Sequence, residues 1–283
     1  MHFKPKFSGQ IAESDCDICR PSRLFMKTVL LCGGFGTRIR DVADDIPKPL
    51  IKVGHMPIIW HLIGYYANFG HTDFVLCLGY KSETIVDFFQ KLPGKTESVG
   101  SQPNLPSIYK FVGPINGIEC SVTMADTGLE AMTGARIRKV HSLVGDSTFM
   151  LSYGDGLSDV NLGRLIAHHR SSKKLLTVTG VRPPSRFGEL QVDNDNNVTG
   201  FNEKPQASGG RISGGFFVCE PGIFEYLEER EDLVFEKEPI QSIVRDRQMD
   251  MYPHDDFWQC MDTYRDWELL NQMFKSGKAP WVH

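Results

Sequence analysis

The sequence predicts an α/β protein with a mostly parallel sheet, and two observations carry the prediction. Short apolar runs alternate with segments of helical spacing through residues 27–89, and strand–helix–strand alternation makes βαβ units with parallel strands. The first of these runs, KTVLLC at 27–32, ends directly on glycines, as a short buried strand does.

Each element follows in turn. Residues 1–25 are polar and irregular with no apolar core of a secretory signal, and read as an extension outside the folded domain, which spans 26–283. Residues 57–69 place apolar side chains at helical spacing, with Pro57 at the start and Gly70 to cap the end. A strand at 74–78 and a helix at 83–89 follow. Residues 93–105, rich in Pro, Gly and Ser, read as a loop. A strand at 120–125 and a helical stretch at 131–141 carrying Arg136, Arg138 and Lys139 come next. The strand at 148–152 ends on Tyr153-Gly154-Asp155-Gly156. Residues 161–169 are helical and 175–181 a strand, while 188–201, with Asp and Asn at its centre, reads as a hairpin. Strands at 212–219 and 248–252 and a helix at 265–274 complete the chain. No repeat or linker interrupts it, so one α/β domain with an elaborated C-terminal part is expected.

Composition narrows the function classes. The 283 residues are 41% apolar and 23% charged, ordinary for a soluble globular protein with a large core. A formal charge of −4 gives no reason to expect nucleic acid, so a polyanionic ligand needs a local cluster of cations. No apolar run approaches the ~18 residues of a membrane span. The seven cysteines fall mostly in apolar strand-like runs, and an odd count points to reduced thiols and the cytoplasm. Cys16 and Cys19 form a C-x-x-C with no second pair at ligand spacing, and read as ordinary thiols.

The most informative stretch is Gly33-Gly34-Phe35-Gly36-Thr37-Arg38, followed by Pro47-Lys48-Pro49. Glycines allow backbone N–H groups to converge on an anion. Thr37 adds a hydroxyl, Arg38 and Lys48 add positive charge, and the prolines stiffen the backbone around Lys48. A dinucleotide fingerprint would need glycine where Ile39 stands, and a P-loop would need Gly-Lys-Ser/Thr where Gly36-Thr37-Arg38 stands. Asp155 follows a strand between glycines, an accessible position at the carboxyl edge of a sheet. Taken alone, it and Asp262 are no more than turn formers or helix caps. The His168-His169 pair shows no ligand spacing and reads as surface or packing.

The run LCGGFGTR with PKPL downstream resembles the signature of the sugar-1-phosphate nucleotidyltransferases, and the glucose-1-phosphate cytidylyltransferases among them. The resemblance continues through MTGAR at 132–136, YGDG at 153–156, RFGE at 186–189, EKP at 203–205, GGFF at 214–217, FWQCMDT at 257–263 and GKAPW at 277–281. It implies a doubly wound, Rossmann-like nucleotide-binding fold and a homo-oligomer. It also implies Mg²⁺-dependent condensation of an NTP, CTP above all, with a sugar 1-phosphate and release of pyrophosphate without a covalent intermediate. Such a reaction asks for positioning and charge neutralisation more than for acid–base groups.

The resemblance assigns residues as well. Asp155 and Asp262 hold Mg²⁺, which suits hard oxygen ligands plus substrate phosphates. Arg38, Lys48 and Lys204 are catalytic. Gly33, Gly34, Gly36, Thr37 and Arg136 bind the nucleotide, with a solvent-facing cation on a short helix as the plainer reading of Arg136. Glu203, Lys204, Ser213 and Gly214 bind the sugar phosphate. Where the family carries Asn before Gly-Gly-Phe-Phe, this sequence has Ser213, a shorter side chain with fewer hydrogen-bonding groups, so the sugar stays open. Uridylyl or thymidylyl transfer, another sugar or polyol phosphate, and a non-catalytic nucleotide-sugar-binding protein remain alternatives.

Overall fold

A computed structural model describes residues 26–34, 46–182, 189–193, 197–202 and 210–282. Gly36, Thr37, Arg38, Glu203 and Lys204, together with Cys16 and Cys19, lie outside the described residues.

The first half comprises β1 (Thr28–Leu31), the small hairpin β2 (Lys52–Val53) and β3 (Met56–Pro57), α1 (Ile58–Asn68), β4 (Asp73–Leu78) and α2 (Ser82–Gln90). Three antiparallel strands follow, β5 (Lys95–Gln102), β6 (Leu105–Ile115) and β7 (Ile118–Asp126). Next come α3 (Thr133–Lys139), α4 (His141–Val144), β8 (Phe149–Tyr153), β9 (Gly156–Ser158), α5 (Leu162–Ser172) and β10 (Leu176–Val181). The remainder holds the hairpin β11 (Glu189–Val192) and β12 (Val198–Asn202), then β13 (Ile212–Ser213), β14 (Phe217–Cys219), α6 (Glu238–Arg245), β15 (Met249–His254), β16 (Trp258–Cys260) and α7 (Tyr264–Lys275).

Among the described residues the central sheet has ten strands. Its middle, β8–β1–β4–β7, is wholly parallel, and antiparallel strands extend it on both sides. Side chains alternate across β1, so Leu30 packs on one face and Val29 on the other. Leu30 joins α1, α2, α5 and α7 through Ile59, Phe89, Leu165 and Leu270, while Val29 joins α3, α4 and α6 through Ile137, Val144 and Ile243. Helices thus cover both faces, which requires strands buried on both sides and explains their near-continuous apolar character. From β1 the chain winds outward through β4 to β7, then crosses back through α3 and α4 to β8 on the other side of β1, so the winding reverses beside β1. Ligands of open α/β sheets bind at such a switch point, beyond the carboxyl ends of the strands.

The structure corrects the expected loop at 93–105. Residues 95–102 form β5, paired with β6 from Lys95↔Val112 to Gln102↔Leu105. Its side chains are almost all exposed, so no buried face marks the strand in the sequence and the backbone ladder alone holds it. The hairpin β6–β7 turns at Asn116-Gly117, both with positive φ, the backbone that this dipeptide favours. The expected strand at 212–219 is interrupted: β13 pairs with β10, and β14 then bridges β10 and β8. Gly215 (φ +74) and Phe216 (φ +47) take left-handed conformations at the break. His168 and His169 pack as expected, His168 against Asp250 and His169 between Thr177 and Glu220.

Candidate active site

A cleft of about 500 Å³ opens at the carboxyl ends of β1 and β8, lined among others by Gly33, Gly34, Lys48, Tyr153, Asp155 and Asp262. One turn of 3-10 helix, Lys48–Leu50, holds Lys48, with the Leu50 N–H donating to Pro47 O and Pro49 and Leu50 buried beneath. The fixed φ of Pro49 and its anchored ring therefore aim a side chain that would be free in an ordinary loop.

Asp155 and Asp262, far apart in sequence, meet because β9 and β16 pair just beyond them. Cys260 lies opposite Gly156 and Gln259 opposite Leu157, and the Met261 N–H donates to Asp155 O at 2.9 Å. Lys48 Nζ donates to Asp155 Oδ2 and to Asp262 Oδ1, each at 2.5 Å. The two carboxylate oxygens are thus no more than 5 Å apart, converging on one point. Burial works against the Lys48 ammonium, but Asp155 and Asp262 more than offset it and hold its pKa above the ordinary lysine value. The ammonium is a cation standing between two hard oxygen donors. No group of three His, Cys, Asp or Glu side chains able to hold a metal occurs among the described residues. Two carboxylates with room for phosphate oxygens fit Mg²⁺, which binds through one or two carboxylates, water and substrate.

Both cysteines at the site are unreactive. Burial, reinforced by Cys77 and Asp155, pushes the Cys32 thiol well up. Burial, with Asp262 and Asp155, pushes that of Cys260 up to about 12. Neither is a thiolate near neutral pH, so neither offers a covalent route.

Arg136 is 5% exposed, which excludes the solvent-facing reading. Its Nη1 donates to Leu78 O, Thr127 Oγ1 and Gly128 O, and its Nη2 to Gly33 O and Leu129 O. These acceptors lie at or just past the carboxyl ends of β1, β4 and β7, and two of them are shared, Leu78 O accepting also from the Thr127 N–H and Gly33 O from the Tyr80 N–H. The guanidinium passes so close that a Cβ on Gly33 would meet its Cζ at 2.2 Å, and one on Gly79 its Nη1 at 2.5 Å. In this arrangement Arg136 staples three strand ends together, and Gly33 is small to admit it. Gly34, by contrast, has nothing within 4 Å of a built Cβ and is open to a ligand.

Arg136→Met is expected to destabilise the protein by about 1–3 kcal/mol, because it removes every hydrogen bond of a buried guanidinium and leaves the Gly128 and Leu129 carbonyls without it. Arg138→Met, on the outer side of the same helix, should leave the melt almost unchanged. Equal urea midpoints for both variants would refute the staple.

Ser213 and Gly214 do not line the cleft among the described residues. A Cβ on Gly214 would strike Val181 at 2.6 Å, so packing alone requires glycine here. Its N–H donates to Thr179 O, and its carbonyl accepts from Trp258 Nε1. Contact with the cleft passes through Gly215, which packs against the Tyr153 ring.

Tyr153, Thr133 and Glu236 form a junction that no local pattern of residues announces. The Tyr153 and Thr133 hydroxyls both donate to the Glu236 carboxylate, at 2.5 and 2.6 Å, and the Phe235 N–H donates to Thr133 Oγ1. Asp266 is a further site residue outside the motifs. Its signal was present, since Thr263 and Asp266 stand at capping-box spacing before an apolar run.

Over residues 27–268 the sequence matches the family described as nucleotidyl transferase. It is 38% identical over 256 residues to the probable glucose-1-phosphate cytidylyltransferase of Bacillus subtilis (strain 168), spanning 90% of this chain and 99% of that protein. It is 35% identical over 260 residues to the glucose-1-phosphate cytidylyltransferase of Salmonella typhi, spanning 90% of this chain and 98% of the relative. The fold matches that of HddC from Yersinia pseudotuberculosis complexed with GMP-PN, with a TM-score of 0.64 at 21% identity over 88% of this chain and 99% of the other.

Proposed function

Because the chain belongs to the nucleotidyl transferase family, we propose that it transfers the cytidylyl group of CTP to glucose 1-phosphate, giving CDP-glucose and pyrophosphate. The observation that carries the reading is the convergence of Asp155, Asp262 and Lys48 at the switch point of the sheet. The two relatives named above, one a glucose-1-phosphate and the other a probable glucose-1-phosphate cytidylyltransferase, support the choice of substrates.

In the reaction a phosphate oxygen of glucose 1-phosphate attacks the α-phosphorus of CTP. A new P–O bond forms as the bond to the β-phosphate breaks, and the electron pair leaves with pyrophosphate. Asp155 and Asp262 would hold Mg²⁺, which would supply charge neutralisation and alignment when bound. Lys48 lies within reach of the same phosphates and contributes its ammonium to the charge that builds on them. Gly34 lets the triphosphate approach the backbone. Arg136 works indirectly, by holding the strand ends that shape the cleft. Gly36, Thr37 and Arg38 complete the phosphate loop, and Glu203 and Lys204 take the sugar phosphate. We also place the protein in the cytoplasm as a homo-oligomer, the first supported by its buried free cysteines and the second by the family resemblance. Among the described residues no helix is long and apolar enough to cross a membrane.

Pyrophosphate release measured with CTP, UTP, dTTP, GTP and ATP against glucose, mannose and polyol phosphates tests the assignment. The highest kcat/KM should fall on CTP with glucose 1-phosphate, and a clear preference for another pair would replace it. Ser213 favours one specific second reading, a different sugar or polyol phosphate. Ser213→Asn is expected to change kcat/KM for the sugar phosphate several-fold, the worth of about one neutral hydrogen bond, and to leave KM for CTP unmoved. A rise for glucose 1-phosphate would favour the second reading, and a change confined to CTP would remove Ser213 from the sugar side.

A further inference from the structure

The β9–β16 ladder accounts for the position of Asp155 but stops short of Asp262. Its last backbone bond joins Met261 N–H to Asp155 O. β16 ends at Cys260 and α7 begins at Tyr264, so Asp262 sits in neither element. A carboxylate that must share a point with another, to within a few tenths of an ångström, cannot be left on an unsupported peptide.

Asp266 supplies the support. Its Oδ2 accepts from the Thr263 N–H and hydroxyl, both at 2.8 Å, and from the N–H of Asp262 itself at 3.1 Å. Its Oδ1 accepts from Gln259 Nε2 at 2.9 Å. Gln259 is a ladder residue, 7% exposed, whose amide also donates to Cys260 O. A capping box needs only the reciprocal bonds between the first and fourth residues, Thr263 and Asp266 here. The bonds to Asp262 and Gln259 are additional, and both run back toward the ladder.

We propose that Asp266 is a positioning residue for the reaction: by tying the Asp262 peptide to both the ladder and the cap of α7, it fixes the direction of the Asp262 carboxylate. This inference rests on the reading of Asp155 and Asp262 as the cation site. Groups that orient a metal-binding side chain matter for affinity almost as much as the side chain does.

The test is Mn²⁺ binding, followed by EPR in the presence of a non-hydrolysable α,β-methylene analogue of CTP. Asp266→Ala is expected to weaken Mn²⁺ binding about tenfold or more and to raise the Mg²⁺ concentration needed for half-maximal rate, with KM for glucose 1-phosphate unmoved. Asn161→Ala is the control. It removes the side-chain cap of α5, where Asn161 accepts from the Arg164 N–H, and should lower the melting temperature without changing Mn²⁺ affinity. Asp266→Asn keeps one acceptor oxygen and should fall between alanine and wild type; it replaces the alanine variant if that does not fold. If Asp266→Ala and Asn161→Ala lose stability alike and both bind Mn²⁺ as wild type does, Asp266 is a helix cap and nothing more. Asp262→Asn in the same series separates the two ideas. Should it leave Mn²⁺ binding intact, the cation site itself is misassigned; should it abolish binding while Asp266→Ala does not, only the positioning role fails.

Discussion

Lys48→Met is expected to melt below the wild-type protein in EDTA and to recover when Mg²⁺ is added. Methionine keeps most of the stem and its packing but leaves two carboxylate oxygens, no more than 5 Å apart, without the ammonium between them. Losing one partner of a fully buried ion pair costs ~3–5 kcal/mol. The Asp155 and Asp262 side chains are 27% and 30% exposed, so water screens part of this, and about 1–3 kcal/mol is a reasonable range. At ~2–4 °C per kcal/mol for a protein of this size, the deficit is several degrees. A divalent cation should restore it by taking the place of the ammonium. Two further readouts follow. The free Lys48→Met protein should bind Mn²⁺ more tightly than wild type, whose own lysine competes for the same oxygens. Its kcat/KM should nevertheless fall ~10²-fold or more, the scale of losing one strong electrostatic stabiliser. A melting temperature indifferent to both the substitution and Mg²⁺ would show that the triad is not a cation site.

Asp155→Asn and Asp262→Asn are expected to fold normally and to lose most turnover. Each substitution leaves the Lys48 ammonium one carboxylate and one amide oxygen as partners, so stability should hold. Each also removes a ligand for an ion worth several kcal/mol in the transition state, or ~10²–10³-fold in rate. Pyrophosphate release across a Mg²⁺ titration is the measurement. Near-normal turnover by either variant at any Mg²⁺ concentration would strike that residue from the site.

The residues that could be read from the sequence were those whose chemistry is local. Lys48 is braced by adjacent prolines, and Asp155 stands in a glycine turn directly after a strand; both features are visible in a few letters. Their meeting was not legible. It depends on β9 and β16, two three-residue strands too short to show any period, which pair although Gly156 and Cys260 lie far apart in sequence. An acid partner for Lys48 therefore could not be foreseen. Arg136 shows the reverse problem. Its helix was visible as a pattern, but a short helix carrying Arg136, Arg138 and Lys139 reads as uniformly exposed. Only the packed sheet reveals that Arg136 turns inward, and that Gly33 and Gly79 are small on its account. In the same way β5 has no buried face to announce it. The central strands were legible because burial on both faces leaves them continuously apolar, while the edges, held by backbone pairing alone, were not.

On the proposed mechanism Asp155 and Asp262 share one cation, and Lys48 keeps its place until the nucleotide arrives. The most direct measurement is a crystal structure with Mn²⁺ and the α,β-methylene analogue of CTP, locating the ion by its anomalous scattering. A single strong peak is expected about 2.1 Å from an oxygen of each carboxylate, with the Lys48 ammonium moved off them and onto a phosphate. A peak bound elsewhere, with Lys48 still bridging Asp155 and Asp262, would contradict that mechanism.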